Sequence, residues 1–155
     1  MRFQDTDVML EKRYRMPIIR VFAERGEKSF RGREKETIAS LLRKTRTGQV
    51  IALGGGAFED SDNRRVIQDH SVVIYLGCSQ RELYRRLKGQ TDRPLLGGAT
   101  GQGLRSDIKN LLHRRRPHYL TADLVVSTTN RTVKETVNEI TRKLTAVYDS
   151  NKSTS

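Results

Sequence analysis

Three short apolar runs constrain this chain more than any other feature. Residues 49–54 (Gln-Val-Ile-Ala-Leu-Gly), 71–77 (Ser-Val-Val-Ile-Tyr-Leu-Gly) and 123–128 (Asp-Leu-Val-Val-Ser-Thr) are continuous rather than alternating. A strand that is apolar at successive positions buries both faces, as in a parallel sheet covered by helices on each side. The intervening segments have helical spacing. Residues 27–46 gather Phe30, Ile38, Leu41 and Leu42 on one side, opposite many charges. Residues 79–88 open on Ser79, a capping type, and carry Leu83, Tyr84 and Leu87. Residues 131–148 place Val133, Val137, Ile140, Leu144 and Val147 three or four apart. Residues 2–7, Arg-Phe-Gln-Asp-Thr-Asp, read as the end of a further strand with two carboxylates at its tip. Strands alternating with helices predict an open α/β sheet.

A length of 155 residues predicts one domain, spanning 1–148, with a disordered tail over 149–155. The Gly-rich segment 89–103 reads as a mobile loop. No apolar run approaches the roughly 18 to 20 residues of a membrane span, and no basic-then-apolar signal pattern opens the chain, so it reads as soluble and cytoplasmic. Cys78 is the single cysteine, which excludes an internal disulfide and a cysteine metal cage. His70, His113 and His118 lack zinc-site spacing.

The net charge of +12 is uneven: residues 79–120 hold eight arginines and two lysines against three acids, which is +7 of the total. Such a cluster is either a solvated face or a site for a nucleotide, a phosphorylated metabolite or nucleic acid. Arginine suits bidentate phosphate contacts. A nucleic-acid platform is the weaker reading, because Tyr and Phe are not interleaved with the arginines.

Ligands of an open α/β sheet sit beyond the carboxyl ends of its strands. Asp5 and Asp7 fall at the first such end, and strand alternation puts them on one face. One can orient a metal through water while the other takes a hydrogen bond from a hydroxyl. Asp7 also stands where a helix N-cap belongs, ahead of Val8-Met9-Leu10-Glu11, and capping is the commoner role. Gly54-Gly55-Gly56 let backbone N–H groups approach a ligand, or simply form a turn. Phe30-Arg31 offers a guanidinium to a carboxylate ligand, or a surface arginine. Arg93 opens the Gly-rich loop, and a loop arginine can neutralise charge on a transferring phosphoryl group. His113 to Arg116, before Pro117-His118-Tyr119, can hold an anionic substrate or form a basic helix end.

The order of these signals is more specific than any one of them. Asp5-Thr6-Asp7 comes first, then Gly26-Glu27-x-x-Phe30-Arg31-x-x-Glu34, then Gly54-Gly55-Gly56. Arg93-Pro94-Leu95-Leu96 and Arg115-x-Pro117-x-Tyr119 with Ala122-Asp123 follow. The set, over about residues 3 to 147, resembles the shikimate kinase family. The resemblance implies a P-loop-kinase-like three-layer α/β/α fold with a parallel sheet of strand order 2-3-1-4-5. It implies transfer of the ATP γ-phosphoryl group to the 3-hydroxyl of shikimate, with Mg2+, in chorismate biosynthesis. Asp7 matches the aspartate that holds substrate hydroxyls, and Asp5 the one that supports magnesium through water. Arg31 and Arg115 match the pair gripping the shikimate carboxylate, with Glu34 orienting Arg31. Gly54, Gly55 and Gly56 match the pocket glycines. Arg93 matches the arginine of a lid at about 89–103, and Arg86 and Arg131 match residues near the nucleotide. The partners implied are shikimate and ATP, without nucleic acid or membrane, for a monomer.

One departure is large. The family's phosphate loop, Gly-x-x-x-x-Gly-Lys-Ser/Thr, occurs nowhere in these residues; Gly98 to Gly103 lacks its ending. That loop supplies a backbone cradle, a lysine and a magnesium ligand. The family's first, central strand lies on the same segment. The expectation is therefore an N-terminally truncated form with impaired transfer, in which two strand pairs flank a gap with unpaired backbone and exposed apolar faces. The alternative is a non-catalytic relative that binds a small acid or a protein partner.

Overall fold

The computed structural model describes residues 1–44, 48–89 and 101–152. In chain order the elements are β1 (Arg2–Asp5), α1 (Thr6–Tyr14), α2 (Ile18–Lys44), β2 (Gln49–Ala52), α3 (Ser61–His70), β3 (Ile74–Gly77), α4 (Gln80–Leu87), α5 (Gly101–Tyr119), β4 (Leu124–Ser127) and α6 (Val133–Lys152). The α/β alternation expected from the apolar runs is present. β1 pairs with β2 and β3 with β4, both parallel, with Asp5 opposite Ala52 and Gly77 opposite Ser127. Among the described residues no strand joins the two pairs.

Covering on both faces, the expectation drawn from the apolar runs, is not what the pairs show. Phe3 and Val50, opposite each other in register, are 66% and 43% exposed. Leu76 and Val125 are exposed in the other pair. In a two-strand sheet every strand is an edge with one side of its backbone unpaired, and these open faces match the expectation of two strand pairs flanking a gap.

Local chemistry sets the element ends. The first strand stops at Asp5, whose Oδ1 accepts the backbone N–H groups of Asp7 (2.8 Å) and Val8 (3.2 Å). The cap is thus Asp5, and Asp7 lies inside the first turn of α1. Strand alternation therefore does not relate the two carboxylates, contrary to the sequence reading. Asp60 caps α3 through Asn63 N–H (2.9 Å), and Ser79 caps α4 through Glu82 N–H (3.2 Å). Gly26, at φ 77° and ψ 160°, kinks α2 in a conformation that side chains rarely adopt.

Three apolar clusters organise the chain. Leu10, Val21 and Phe30 join α1 to α2. Ile38 and Leu42 of α2 pack with Ala57, Phe58 and Ile67. Leu104 and Ile108 of α5 pack with Leu83 and Leu87 of α4. Because α2 serves the first two clusters at its two ends, its stretch 31–37 is fixed between them. Helix α6 runs to Lys152, through the first residues assigned by sequence to a disordered tail. Of the expected lid, Gly101 to Gly103 form the first turn of α5, and residues 90–100 lie outside the described residues. No helix among the described residues is long and apolar enough to cross a membrane.

Candidate active site

The three glycines after β2 form the floor of the site, and the surrounding side chains explain why they are glycines. A Cβ on Gly54 would collide with Asp7 Oδ1 and stand 3.2 Å from Glu34 Oε1. A Cβ on Gly55 would lie 3.1 Å from Arg115 Nη1, and one on Gly56 would overlap the Arg31 guanidinium. Each missing side chain is replaced by a functional group from a different helix: α1, α5 and α2. The turn is held by Ala57 N–H to Gly54 C=O (3.0 Å) and Glu59 N–H to Gly56 C=O (3.1 Å). Fully buried Thr6 stitches it to α1: its hydroxyl donates to Ala52 C=O (3.2 Å) and accepts Gly54 N–H (3.1 Å).

Both arginines are tethered by carboxylates. Arg31 Nη1 donates to Glu34 Oε2 (2.8 Å), and its Nε and Nη2 donate to Glu27 Oε1 (3.3 and 3.2 Å). Its guanidinium also lies 5.8 Å and 5.2 Å from the Phe22 and Phe30 ring centres. Burial lowers the Arg31 pKa, but Glu34 and Glu27 more than restore it, leaving it above the ordinary value. Glu34 is 1% exposed, and its Oε1 has no hydrogen-bond partner. Burial pushes the Glu34 carboxyl up, which Arg31 only partly offsets, and the charge of Asp7 adds to the rise. Arg115 Nε donates to Glu59 Oε1 (2.8 Å), and Arg114 Nε to Glu59 Oε2 (2.7 Å). The Tyr119 hydroxyl donates to Gly55 C=O, and its ring stacks on Tyr75 at 4.8 Å.

These groups share one cavity of about 360 Å³, lined by Asp7, Arg31, Glu34, the three glycines, Arg115 and Tyr119. Its remaining wall is apolar, with Leu83, Leu87, Ile108 and Leu112. Two guanidinium groups against a glycine turn make an anion subsite that suits a carboxylate. The Asp7 carboxylate beside it offers a hydroxyl acceptor. The cavity therefore fits a small hydroxylated carboxylic acid.

The structure thus brings together Asp7, Arg31, Gly54, Gly55, Gly56 and Arg115 of the residues proposed from sequence. Asp5 sits next to them as the helix cap. Its Oδ1 is occupied by the backbone N–H groups of Asp7 and Val8. Among the described residues no three His, Cys, Asp or Glu side chains gather as a metal site. Arg86 and Arg131 meet elsewhere, at the end of β4, where Thr128 C=O accepts Arg86 Nη2 (2.9 Å) and Arg131 N–H (3.3 Å). Arg93 lies outside the described residues. Much of the basic cluster is paired: Arg85 and Arg86 with Glu82, Arg114 and Arg115 with Glu59. Sequence reasoning missed Glu59, Thr6 and the role of Tyr119. The one available signal for Glu59 was an acid three residues beyond a triple glycine.

Comparison with known proteins agrees with this geometry. The sequence pattern of the shikimate kinase family matches residues 1–145. A shikimate kinase of Chlorobium limicola is 40% identical over 147 residues, covering 92% of this chain and 73% of the relative. A shikimate kinase of Chlorobaculum tepidum is 39% identical over 147 residues, covering 92% of this chain and 76% of the relative. Among solved structures, shikimate kinase from Acinetobacter baumannii in complex with shikimate superposes with a TM-score of 0.81 at 28% identity, covering 97% of this chain and 80% of that one. The Aquifex aeolicus shikimate kinase gives 0.79 at 27% identity, covering 96% and 83%.

Proposed function

Since the chain belongs to the shikimate kinase family, we propose that its glycine-floored cavity is the shikimate site of a transferase that moves the ATP γ-phosphoryl group to the shikimate 3-hydroxyl. The observation that carries this reading is the meeting of Arg31 and Arg115, from separate helices, with Asp7 at Gly54 to Gly56. The guanidinium groups hold the substrate carboxylate, and backbone N–H groups of the glycine turn border it. Asp7 accepts a hydrogen bond from the reacting hydroxyl and can receive its proton as the oxygen attacks phosphorus. Glu34 keeps Arg31 in place.

On the nucleotide side we assign Arg86 and Arg131 to the nucleotide and Arg93 to the transferring phosphoryl group, where its charge stabilises the transition state. Magnesium, when bound, neutralises phosphate charge, and Asp5 supports it through water. The reaction belongs to chorismate and aromatic amino acid biosynthesis, which we place in the cytoplasm. It needs one copy of the chain and neither nucleic acid nor a membrane surface.

Calorimetry with shikimate and with its methyl ester tests the reading. The chain binds shikimate, and the ester, which lacks the carboxylate charge, binds at least tenfold more weakly, the lower end of what one charged hydrogen bond contributes, roughly 1.5 kcal/mol. Equal binding of the two would remove the carboxylate from the site.

A further inference from the structure

We propose that Glu59 is the positioning residue that presents Arg115 to the substrate carboxylate. This deepens the preceding reading and rests on it. Glu59 is pinned along its backbone before its side chain acts. Its N–H donates to Gly56 C=O (3.1 Å), and its C=O accepts Arg64 Nη1 (3.1 Å). The same Arg64 nitrogen reaches Phe58 C=O (2.9 Å). The Glu59 carboxylate is therefore carried rigidly on the end of the glycine turn.

Both of its oxygens are used on consecutive residues of α5. Oε1 takes Arg115 Nε and Oε2 takes Arg114 Nε. Holding Arg115 by Nε leaves its Nη edge as the face turned to the turn, with Nη1 close against Gly55. Glu59 thus selects which edge of the guanidinium a ligand meets. The contact is sheltered: the Arg115 and Glu59 side chains are 15% and 21% exposed. The Arg114 arm is 59% exposed, so it adds orientation and little energy. Burial alone raises the Glu59 carboxyl, but the Arg115 charge and hydrogen bond more than reverse this, so it stays ionised at neutral pH. An arginine already confined to one rotamer loses less freedom when substrate arrives.

The role differs from that of Glu34. Glu34 lines the substrate cavity as well as a neighbouring polar pocket, whereas Glu59, with Arg114, lines only the neighbouring one of the two. Glu59 reaches substrate only through Arg115, so it is not a catalytic residue.

A double-mutant cycle on the full chain tests this, using Glu59→Ala, Glu59→Gln, Arg115→Ala and the Glu59→Ala/Arg115→Ala double variant. The ligands are shikimate and its methyl ester. Glu59→Ala weakens shikimate about tenfold, within the usual coupling of contacting residues, and leaves ester affinity unchanged. In the Arg115→Ala background the same substitution changes nothing further. Equal weakening of both ligands, or full additivity in the double variant, overturns the proposal. If Glu59→Ala melts too low to assay, Glu59→Gln, which keeps the shape, is read in its place. An independent readout needs no substrate. The Arg115 Nε–H resonance, identified by its loss in Arg115→Ala, is protected from exchange in the wild-type chain and unprotected in Glu59→Gln. Unchanged protection overturns the proposal, whereas a wild-type chain that ignores shikimate while showing this protection overturns only the function assigned above.

Discussion

Arg31 and Glu34, one turn apart on α2, form an ion pair of 2.8 Å in which the acid is all but buried and the base reaches into the cavity. Arg31 therefore does two things at once. It faces a ligand, and it offsets part of the rise that burial imposes on the Glu34 carboxyl. Substrate binding and local stability are coupled through this pair.

Replacing Arg31 separates the two effects. Arg31→Ala weakens shikimate by about 1.5 to 3 kcal/mol, the range for a hydrogen bond to a charged group. Arg31→Lys restores part of this, because one ammonium cannot present a fork to both Glu34 and a ligand. Calorimetry on the two variants checks the order: wild type tightest, Lys intermediate, Ala weakest.

The pH dependence of Arg31→Ala follows from Glu34. In the folded chain Glu34 already lies above its unfolded value, and losing Arg31 raises it further. A carboxyl raised on folding costs stability as pH rises above its unfolded value, and costs nothing below it. Thermal melts of Arg31→Ala should therefore show a large deficit against wild type at pH 7 that shrinks toward pH 4. A deficit independent of pH would place the loss in packing against Phe22 and Phe30 instead.

How much of this was legible in sequence depends on whether the cause was local. The strands at 49–52, 74–77 and 124–127 and the cap at Ser79 follow from short-range pattern. The order of motifs also carried the glycine floor and both arginines. What was missed came from side-chain contacts, near or distant in sequence, that periodicity does not encode. The Asp5 cap displaced Asp7 from the strand by a two-residue hydrogen bond that alternation cannot anticipate. Glu59 finds Arg115 across 56 residues, and no periodicity relates them. The open faces of Phe3 and Val50 depart from the covering that the apolar runs suggested but agree with the exposed faces expected from the absent central strand.

Glycine 56 offers a sharper test of the floor than any charged residue. Its Cβ position is filled by the Arg31 guanidinium, which Glu27 and Glu34 hold in place. Gly56→Ala must displace that group. We expect shikimate affinity to fall by about tenfold or more, comparable to losing a charged contact, while the melting temperature moves by only a few degrees, as for a typical destabilisation of about 1 kcal/mol. Unaltered affinity would show that Arg31 can leave the turn without cost.

Glu82 governs a separate acid transition. Hydrogen bonds from Arg85 and Arg86 hold its carboxyl down to about 2. A carboxyl depressed on folding stabilises above its unfolded value and loses that contribution as pH falls toward its folded one. The advantage of wild type over Glu82→Gln should thus be complete at pH 7 and fade between about pH 4.5 and pH 2. Melts of both proteins across that window would show it. A constant difference would mean that Glu82 acts through packing at the start of α4.

The last expectation concerns the nucleotide. The 155 residues contain no Gly-x-x-x-x-Gly-Lys-Ser/Thr sequence, so on the reading proposed above nucleotide phosphates would rely on arginine side chains rather than on that loop's ring of backbone N–H donors at a helix N-terminus. Arg86 is also partly committed, to Glu82 and to Thr128 C=O. Side-chain cations in water are screened within about 10 Å at 0.1 M salt. Nucleotide binding by these residues should therefore weaken steeply with salt, while shikimate, held in a partly buried cavity by tethered arginines, should be far less sensitive. ADP release with shikimate and magnesium should stay near background for the 155-residue chain. Calorimetry of both ligands at low and high salt, run beside the ADP assay, separates the two halves of the site. Salt-insensitive nucleotide binding with brisk ADP release would mean that another element of this chain cradles the phosphates.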